Sequence, residues 1–333
     1  MKKILLVLMS IGLFILVACQ SNFMPPLKKS DQVELTLAQK LTLLNEMNLS
    51  DVKSNALMIS AKGDFKASAE PLPNVSNSSN KVLIQFEFDA SAYISLGNEA
   101  SESIMYFNLN KLLVNNEQKT SYLEYQNRIE ATKSFLLLKN GYVYAQLNGS
   151  YKTSNQGNPV EESFNNKQMR SKEVVFTQNE YEILKSMFDS LEENLHFDIS
   201  DSLLEQIKYV DKMITVYKTG DIHTIRLLIT KEQVIEFITT TTENLPLPPE
   251  FKDYLKKLTF ELRIELNQKK LSKIYLASDL LLEYSDSEMK NDVTLNGLQF
   301  MVDFNPVAPT IPSDSSLDKF EPRDNFISGL IRW

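Results

Sequence analysis

Apolar residues recur along this chain with two periods, and the changes between them mark out its elements. Over residues 33–47, Val33, Leu37, Leu41 and Leu44 fall at helical spacing, with Leu43 and Met47 widening the stripe, so an amphipathic helix is expected there. Its opposite side carries no basic cluster, which favours packing on a core over lying on lipid. Over residues 81–89 the period drops to two. Val82, Ile84, Phe86 and Phe88 point one way, while Leu83, Gln85, Glu87 and Asp89 point the other. Residues 55–69 and 103–113 show a weaker form of this alternation, and the polar stretch 71–80 connects two such strands.

The sharpest turn signal is Asn140-Gly141, a pair suited to a two-residue hairpin turn in which both residues take positive φ. That turn sets Leu138 against Val143 and Leu136 against Ala145 on one face, continued by Leu147. Phe135, Leu137, Tyr142 and Tyr144 take the other, so both faces must be covered or one must line a hollow. Residues 155–172 are polar and read as a long loop. Tyr181, Leu184, Phe188, Leu191 and Leu195 then predict a helix over 179–195, and Ser202–Glu205 and Thr230–Gln233 are capping boxes for two more. Thr219-Gly220 turns a hairpin whose Ile214, Val216, Ile225 and Leu227 share a face. In the last third, Leu258, Phe260, Leu262, Ile264 and Leu266 are followed by Ile274, Leu276, Leu280 and Leu282. A two-residue turn between these strands would set Ile274 and Leu276 on the wrong side, so three residues are expected in the turn. Leu298, Phe300, Val302 and Phe304 form a closing strand. Beyond Asn305 the prolines indicate an extended tail whose apolar end (Phe326, Ile327, Leu330, Ile331, Trp333) docks.

The first residues follow a different logic. Lys2 and Lys3 precede an apolar run from Ile4 to Ala18, which has the charged start and short apolar centre of a secretion signal and is too short for a membrane span. The run ends in Leu16-Val17-Ala18-Cys19, which resembles the lipobox of bacterial lipoproteins. The resemblance implies that residues 1–18 are removed and that Cys19 is lipidated and becomes the mature N-terminus. Residues 19–32 then read as a lipidated tether, 33–304 as the folded domain and 305–333 as the tail. Anchoring would hold the protein at the outer face of the cell membrane, or in an outer-membrane leaflet where the envelope has one.

Composition narrows the chemistry. The 333 residues carry 35 Lys+Arg against 43 Asp+Glu, a formal charge of -8 that offers no general attraction to nucleic acid. With 2 His and 1 Cys, transition-metal and disulfide frameworks are largely excluded, and neither a metal nor a cofactor is expected. No Gly-x-Ser-x-Gly, phosphate-binding glycine loop or dinucleotide fingerprint occurs. His196 suits a helix C-terminus, and His223 reads as a strand residue near a turn. Glu161-Glu162 and Glu192-Glu193 are adjacent and so diverge, and the acidic loop 286–292 lacks the spacing of a calcium loop. No catalytic residue is assigned, and the protein is not read as an enzyme.

The element order predicts an α+β fold in which a large, curved, half-barrel-like antiparallel sheet carries several amphipathic helices on its concave side. With the lipobox, the helix before the first strand and the helices between long amphiphilic strands, residues 33–304 resemble the LolA/LppX-like envelope lipoproteins. That resemblance rests on architecture and implies binding of a lipid or acyl chain beneath the helices. Candidate lining residues are Ile84, Phe86, Phe88, Leu136, Leu138, Ile225, Leu227, Phe260, Leu262, Phe300 and Val302. A non-enzymatic structural or protein-interaction lipoprotein with a packed core would use the same residues, and both readings stand at this point. Replacing Cys19 by Ala is expected to abolish lipidation and leave the signal attached. Radiolabelled palmitate incorporation and the mass of the mature chain check this.

Overall fold

The computed structural model describes residues 24–45, 56–72, 80–120, 122–194, 211–241, 251–285 and 288–324. In chain order its strands are β1 (Gln32–Val33), β2 (Ala56–Pro71), β3 (Lys81–Ser95), β4 (Ile104–Lys119), β5 (Glu124–Lys139), β6 (Tyr142–Asn155), β7 (Asn158–Ser171), β8 (Ile214–Thr219), β9 (Ile222–Thr230), β10 (Leu255–Asn267), β11 (Lys270–Ser285), β12 (Met289–Asp303) and β13 (Glu321–Arg323). The helices of nine or more residues are α1 (Leu37–Asn45), α2 (Gln178–Asn194) and α3 (Lys231–Thr241).

All thirteen strands lie in one unclosed sheet, ordered β1-β8-β9-β10-β11-β12-β2-β3-β4-β5-β6-β7-β13. Two meanders, β2 to β7 and β8 to β12, stand side by side and are joined where β12 pairs antiparallel with β2. Every pairing is antiparallel except β13 with β7, so the sheet is mixed rather than purely antiparallel. The long strands have up to 16 residues, about 50 Å at ~3.3 Å per residue.

Such lengths strain a period-two pattern, and bulges relieve it. Gly297 in β12, Asn110 in β4, Lys133 in β5 and Asn166 in β7 each lie at a register shift where their strand carries one extra residue. Lys133, Asn166 and Gly297 take positive φ (48°, 51° and 56°). Flanking side chains satisfy the displaced backbone. Asn148 Nδ2 donates to the Lys133 carbonyl at 3.0 Å, while its Oδ1 accepts from the Asn166 N–H at 2.6 Å. Asp279 accepts from the Gly297 N–H at 2.7 Å. In β4, β5 and β12 the bulge resets which residues face which way, so the apolar residues before and after it share one side.

The turns are largely as expected. Asn140 and Gly141 both have positive φ (52° and 76°), and Leu138 opposes Val143 and Leu136 opposes Ala145. Between β10 and β11 the structure corrects the expected three-residue turn. Gln268 and Lys269 alone form the turn, both with positive φ (51° and 68°), and a bulge at Ser272 restores the parity that places Leu262 opposite Leu276. Residues 155–172, expected as a loop, are instead β7 paired to β6 around Gln156-Gly157. The first two-thirds of β7 is largely exposed, which is why no apolar alternation marks it.

The expected helices over 33–47, 179–195 and from Thr230 correspond to α1, α2 and α3, with Val33 belonging to β1; the helix from Ser202 lies outside the described residues. The Thr230 N–H donates to Gln233 Oε1 at 2.8 Å, one half of the expected capping box. Leu35 and Leu43 pack on Val216, Ile225, Leu266 and Leu271, while Tyr181, Leu184, Phe188 and Phe176 pack on Ile94, Leu96 and Leu138. Of the expected layer of helices, α1 and α2 pack on buried clusters at two separate corners of the sheet, and α3 lies against β9 and β10.

Both ends of the described chain dock on the sheet, and Phe326, Ile327, Leu330, Ile331 and Trp333, the residues expected to dock, lie outside the described residues. Residues 19–32 were expected to be a tether, yet Met24 is buried against Tyr275, Ala277 and Met301, and the Pro25 carbonyl accepts from Arg263. The tail 305–324 is extended but docked. Leu317 and Phe320 cover Phe135 and Leu137, and Phe320 meets the Tyr144 ring edge-on at 5.8 Å. The hairpin read as apolar on both sides is therefore covered on both, by α2 and by the tail.

Gly149, opposite the β5 bulge, has no room for a side chain: a Cβ there would lie 2.2 Å from the Glu130 carbonyl oxygen. Gly149→Ala is expected to destabilise by about 1–3 kcal/mol, measured by urea unfolding, because the contact is with backbone that cannot swing aside.

Candidate functional site

Cross-strand register shows which side chains share a face. Leu227, Leu262, Leu276, Phe300, Ala61, Ala90 and Leu109 form one transverse row from β9 to β4. A neighbouring row runs Ile225, Ile264, Ile274, Val302, Ile59, Ala92, Phe107, Leu136 and Ala145 from β9 to β6. On the other side of the first row lie Phe260, Leu298, Gly63, Phe88 and Leu112, and Phe86 opposes Phe65 and Val114. All eleven lining candidates therefore fall on one face. Cys19 lies outside the described residues.

Burial divides this face. At its corners Leu138 and Ile225 are buried at 3% and 5% exposure, beneath α2 and α1. In the middle Phe86, Phe88, Phe260, Leu262, Phe300 and Val302 are only partly buried, and Ile84 is 44% exposed. The Phe86 and Phe88 rings stand 5.1 Å apart, and neither belongs to a buried cluster among the described residues. Gly63 makes space here, since a Cβ would lie 3.1 Å from Leu298 Cδ1 and 3.2 Å from Phe88 Cε1. Phe65, Leu276, Leu295 and Leu298 belong to the same surface and were missed as lining. Leu276 and Leu298 alternate with Ile274 and Phe300 in the sequence, a signal that could have found them, whereas Phe65, in a weakly alternating strand, and Leu295, beyond the β12 bulge, are placed only by the register.

The opposite face is polar and ion-paired. Arg226 and Arg263 both donate to Glu261 Oε1, at 2.5 and 2.7 Å, and Lys273 pairs with Asp303 at 3.0 Å. Burial pushes the Glu261 carboxyl up, but the two guanidinium donors outweigh it and hold the group below the usual carboxylate range. Glu265 goes the other way, raised by burial, and accepts from the Tyr275 hydroxyl at 3.4 Å. This network lies under the docked Met24–Pro25 segment.

Other polar candidates do not converge. Glu161 and Glu162 are exposed neighbours in β7, and their side chains leave on opposite faces. Asp292 pairs with Lys290 at 2.8 Å; residues 286–287, His196 and the side chains of Glu192 and Glu193 lie outside the described residues. Among the described residues no His, Cys, Asp and Glu side chains group in a way that would hold a metal ion, and no helix is long and apolar enough to cross a membrane.

No family model matches the chain, and no curated protein matches it. Among solved structures, a beta-barrel-like protein of the domain of unknown function DUF1849 from Brucella abortus is similar at 6% identity, covering 71% of this chain and 97% of its own, with a TM-score of 0.16. So low a score carries no argument about fold or function.

Glu261→Gln is expected to leave Arg263 buried without its counter-charge and to cost about 3 kcal/mol at neutral pH. Because the folded-state pKa is depressed, the wild-type contribution is present above the usual carboxylate range and is lost as pH falls through the folded value. Urea unfolding of both proteins at neutral and acid pH should show the gap closing in acid.

Proposed function

We propose that this protein is an exported lipoprotein, anchored through lipidated Cys19, whose sheet curls with its apolar face inward and binds the acyl chain of a lipid or another hydrophobic ligand. The observation that carries this reading is the continuous apolar face, whose central Phe86, Phe88, Phe260 and Phe300 remain partly exposed between the covered corners. Water-facing sheets in folded proteins are normally polar, so an apolar surface of this extent implies an occupant. The lipobox at 16–19 supports placement at a membrane, where acyl chains are at hand. In this arrangement α1 and α2 lie on the concave side, as in the LolA/LppX-like proteins that residues 33–304 resemble.

A second reading, a structural or interaction lipoprotein with a packed interior, is favoured by the closure of both corners by the chain's own helices. One experiment separates them. The delipidated mature protein should take up a fluorescent fatty acid saturably, and Phe86→Arg should reduce uptake at least tenfold with little change in melting temperature. Absence of saturable uptake by the wild type, together with unfolding of Phe86→Arg from burial of its charge, would replace the carrier with the scaffold.

A further inference from the structure

At the β8–β9 corner, α1 stands off the sheet and leaves a hollow of about 340 Å³, open on one side. Its walls are chiefly apolar, with Val33 from β1 and Leu35 and Leu43 from the α1 segment. Two basic side chains share it, Lys218 and His223, which are direct cross-strand partners and therefore stand side by side on the apolar face. Among the described residues neither makes a side-chain hydrogen bond or ion pair.

The α1 wall is held in place. Lys40, 9% exposed, donates to Asp211 Oδ1 at 2.8 Å, to the Asp211 carbonyl at 3.1 Å and to the Ile214 carbonyl at 2.8 Å, tying the helix to the start of β8. The helix start is fixed by a reciprocal cap, Thr36 N–H to Gln39 Oε1 at 2.9 Å and Gln39 N–H to Thr36 Oγ1 at 3.3 Å. The Thr42 hydroxyl donates to the Ala38 carbonyl at 2.9 Å. The Thr42 hydroxyl and the Gln39 amide oxygen are thus committed within the helix, and among the described residues the Lys218 ammonium, the His223 ring and the Gln39 Nε2 amide are the donors left to meet a ligand.

We propose that this hollow is the headgroup site for a single-chain anionic amphiphile, its carboxylate or phosphate on Lys218 and His223 and the start of its chain against Val33, Leu35 and Leu43. The proposal deepens the acyl-binding reading and rests on it, because His223 and Lys218 lie on the same face of the sheet as Leu227 and Leu262. Lys218 supplies the charge. Burial and the neighbouring Lys218 hold the His223 pKa below its ordinary value, so the ring is neutral near pH 7 and offers a single N–H donor.

The test uses the full chain in its own membranes and a long-chain diazirine fatty acid, with crosslinks mapped by peptide mass spectrometry. Crosslinks are expected on residues 33–43 and 214–230, and each methylene removed from the probe should weaken labelling about fourfold (~0.8 kcal/mol). Lys218→Glu should reduce labelling at least tenfold, and Lys218→Arg should retain it, since a hydrogen bond to a charged group carries that much affinity. Competition by a free fatty acid alone assigns the carboxylate as the natural head, and competition by a lysophospholipid alone assigns the phosphate. Equal competition by the matching fatty alcohol would overturn the headgroup site, as would labelling unaffected by Lys218→Glu. Crosslinks confined to β2, β3 and β12 would overturn this site and leave the wider acyl-binding reading standing; no crosslinks anywhere would overturn both.

Discussion

The structure depends on keeping one face apolar along strands about two to three times as long as usual. A strand alternates strictly, so any mismatch of one residue between neighbours turns every later side chain over. Here the mismatch is absorbed at bulges in the middle of β4, β5, β7 and β12, and the polar groups displaced there find partners in Asn148 and Asp279. Hydrophobic burial supplies the driving force, and these local polar contacts determine where it can act.

The polar face is no less organised. Its apolar islands are covered by the two ends of the described chain, Met24 on Tyr275 and Met301, and Leu317 and Phe320 on Phe135 and Leu137. The ends thereby occupy one side of the sheet and leave the other to α1 and α2. This division lets the apolar face be partly open without the whole sheet becoming an adhesive surface. The free edge along β7 is guarded in a different way, by Pro159, Glu161, Glu162 and a bulge, features that discourage pairing with another chain.

Much of this was legible in the sequence wherever periodicity and turn chemistry agreed. The Asn140-Gly141 register, the face shared by Ile214, Val216, Ile225 and Leu227, the α2 stripe and the strand alternation that puts all eleven lining candidates on one face follow from spacing and turn chemistry. β7 was not legible, because a strand exposed along most of its length needs no apolar alternation. In β4 the run Met105, Phe107, Leu109 changes parity to Leu112 and Val114 across Asn110, so a single period-two window reads it as weak. The β10–β11 turn showed the right constraint with the wrong device, since parity was restored at Ser272 rather than in the turn. Docking of Met24 had no local signature at all; it depends on Arg263 and Tyr275, some 240 residues downstream by number.

The seam between the meanders has a consequence for how the molecule comes into being. Met58 pairs with Asp303 and Phe65 with Leu295, so the first long strand completes its hydrogen bonds only with the last. Each meander can be assembled from neighbours in sequence, whereas the β12–β2 seam must close a loop of more than two hundred residues. Until it closes, β2 presents an unpaired edge flanked by Phe65, Ala67 and Ala69 on the apolar side. A chain synthesised from its N-terminus exposes that edge early and covers it late, which makes the time between the two the period of greatest exposure to aggregation.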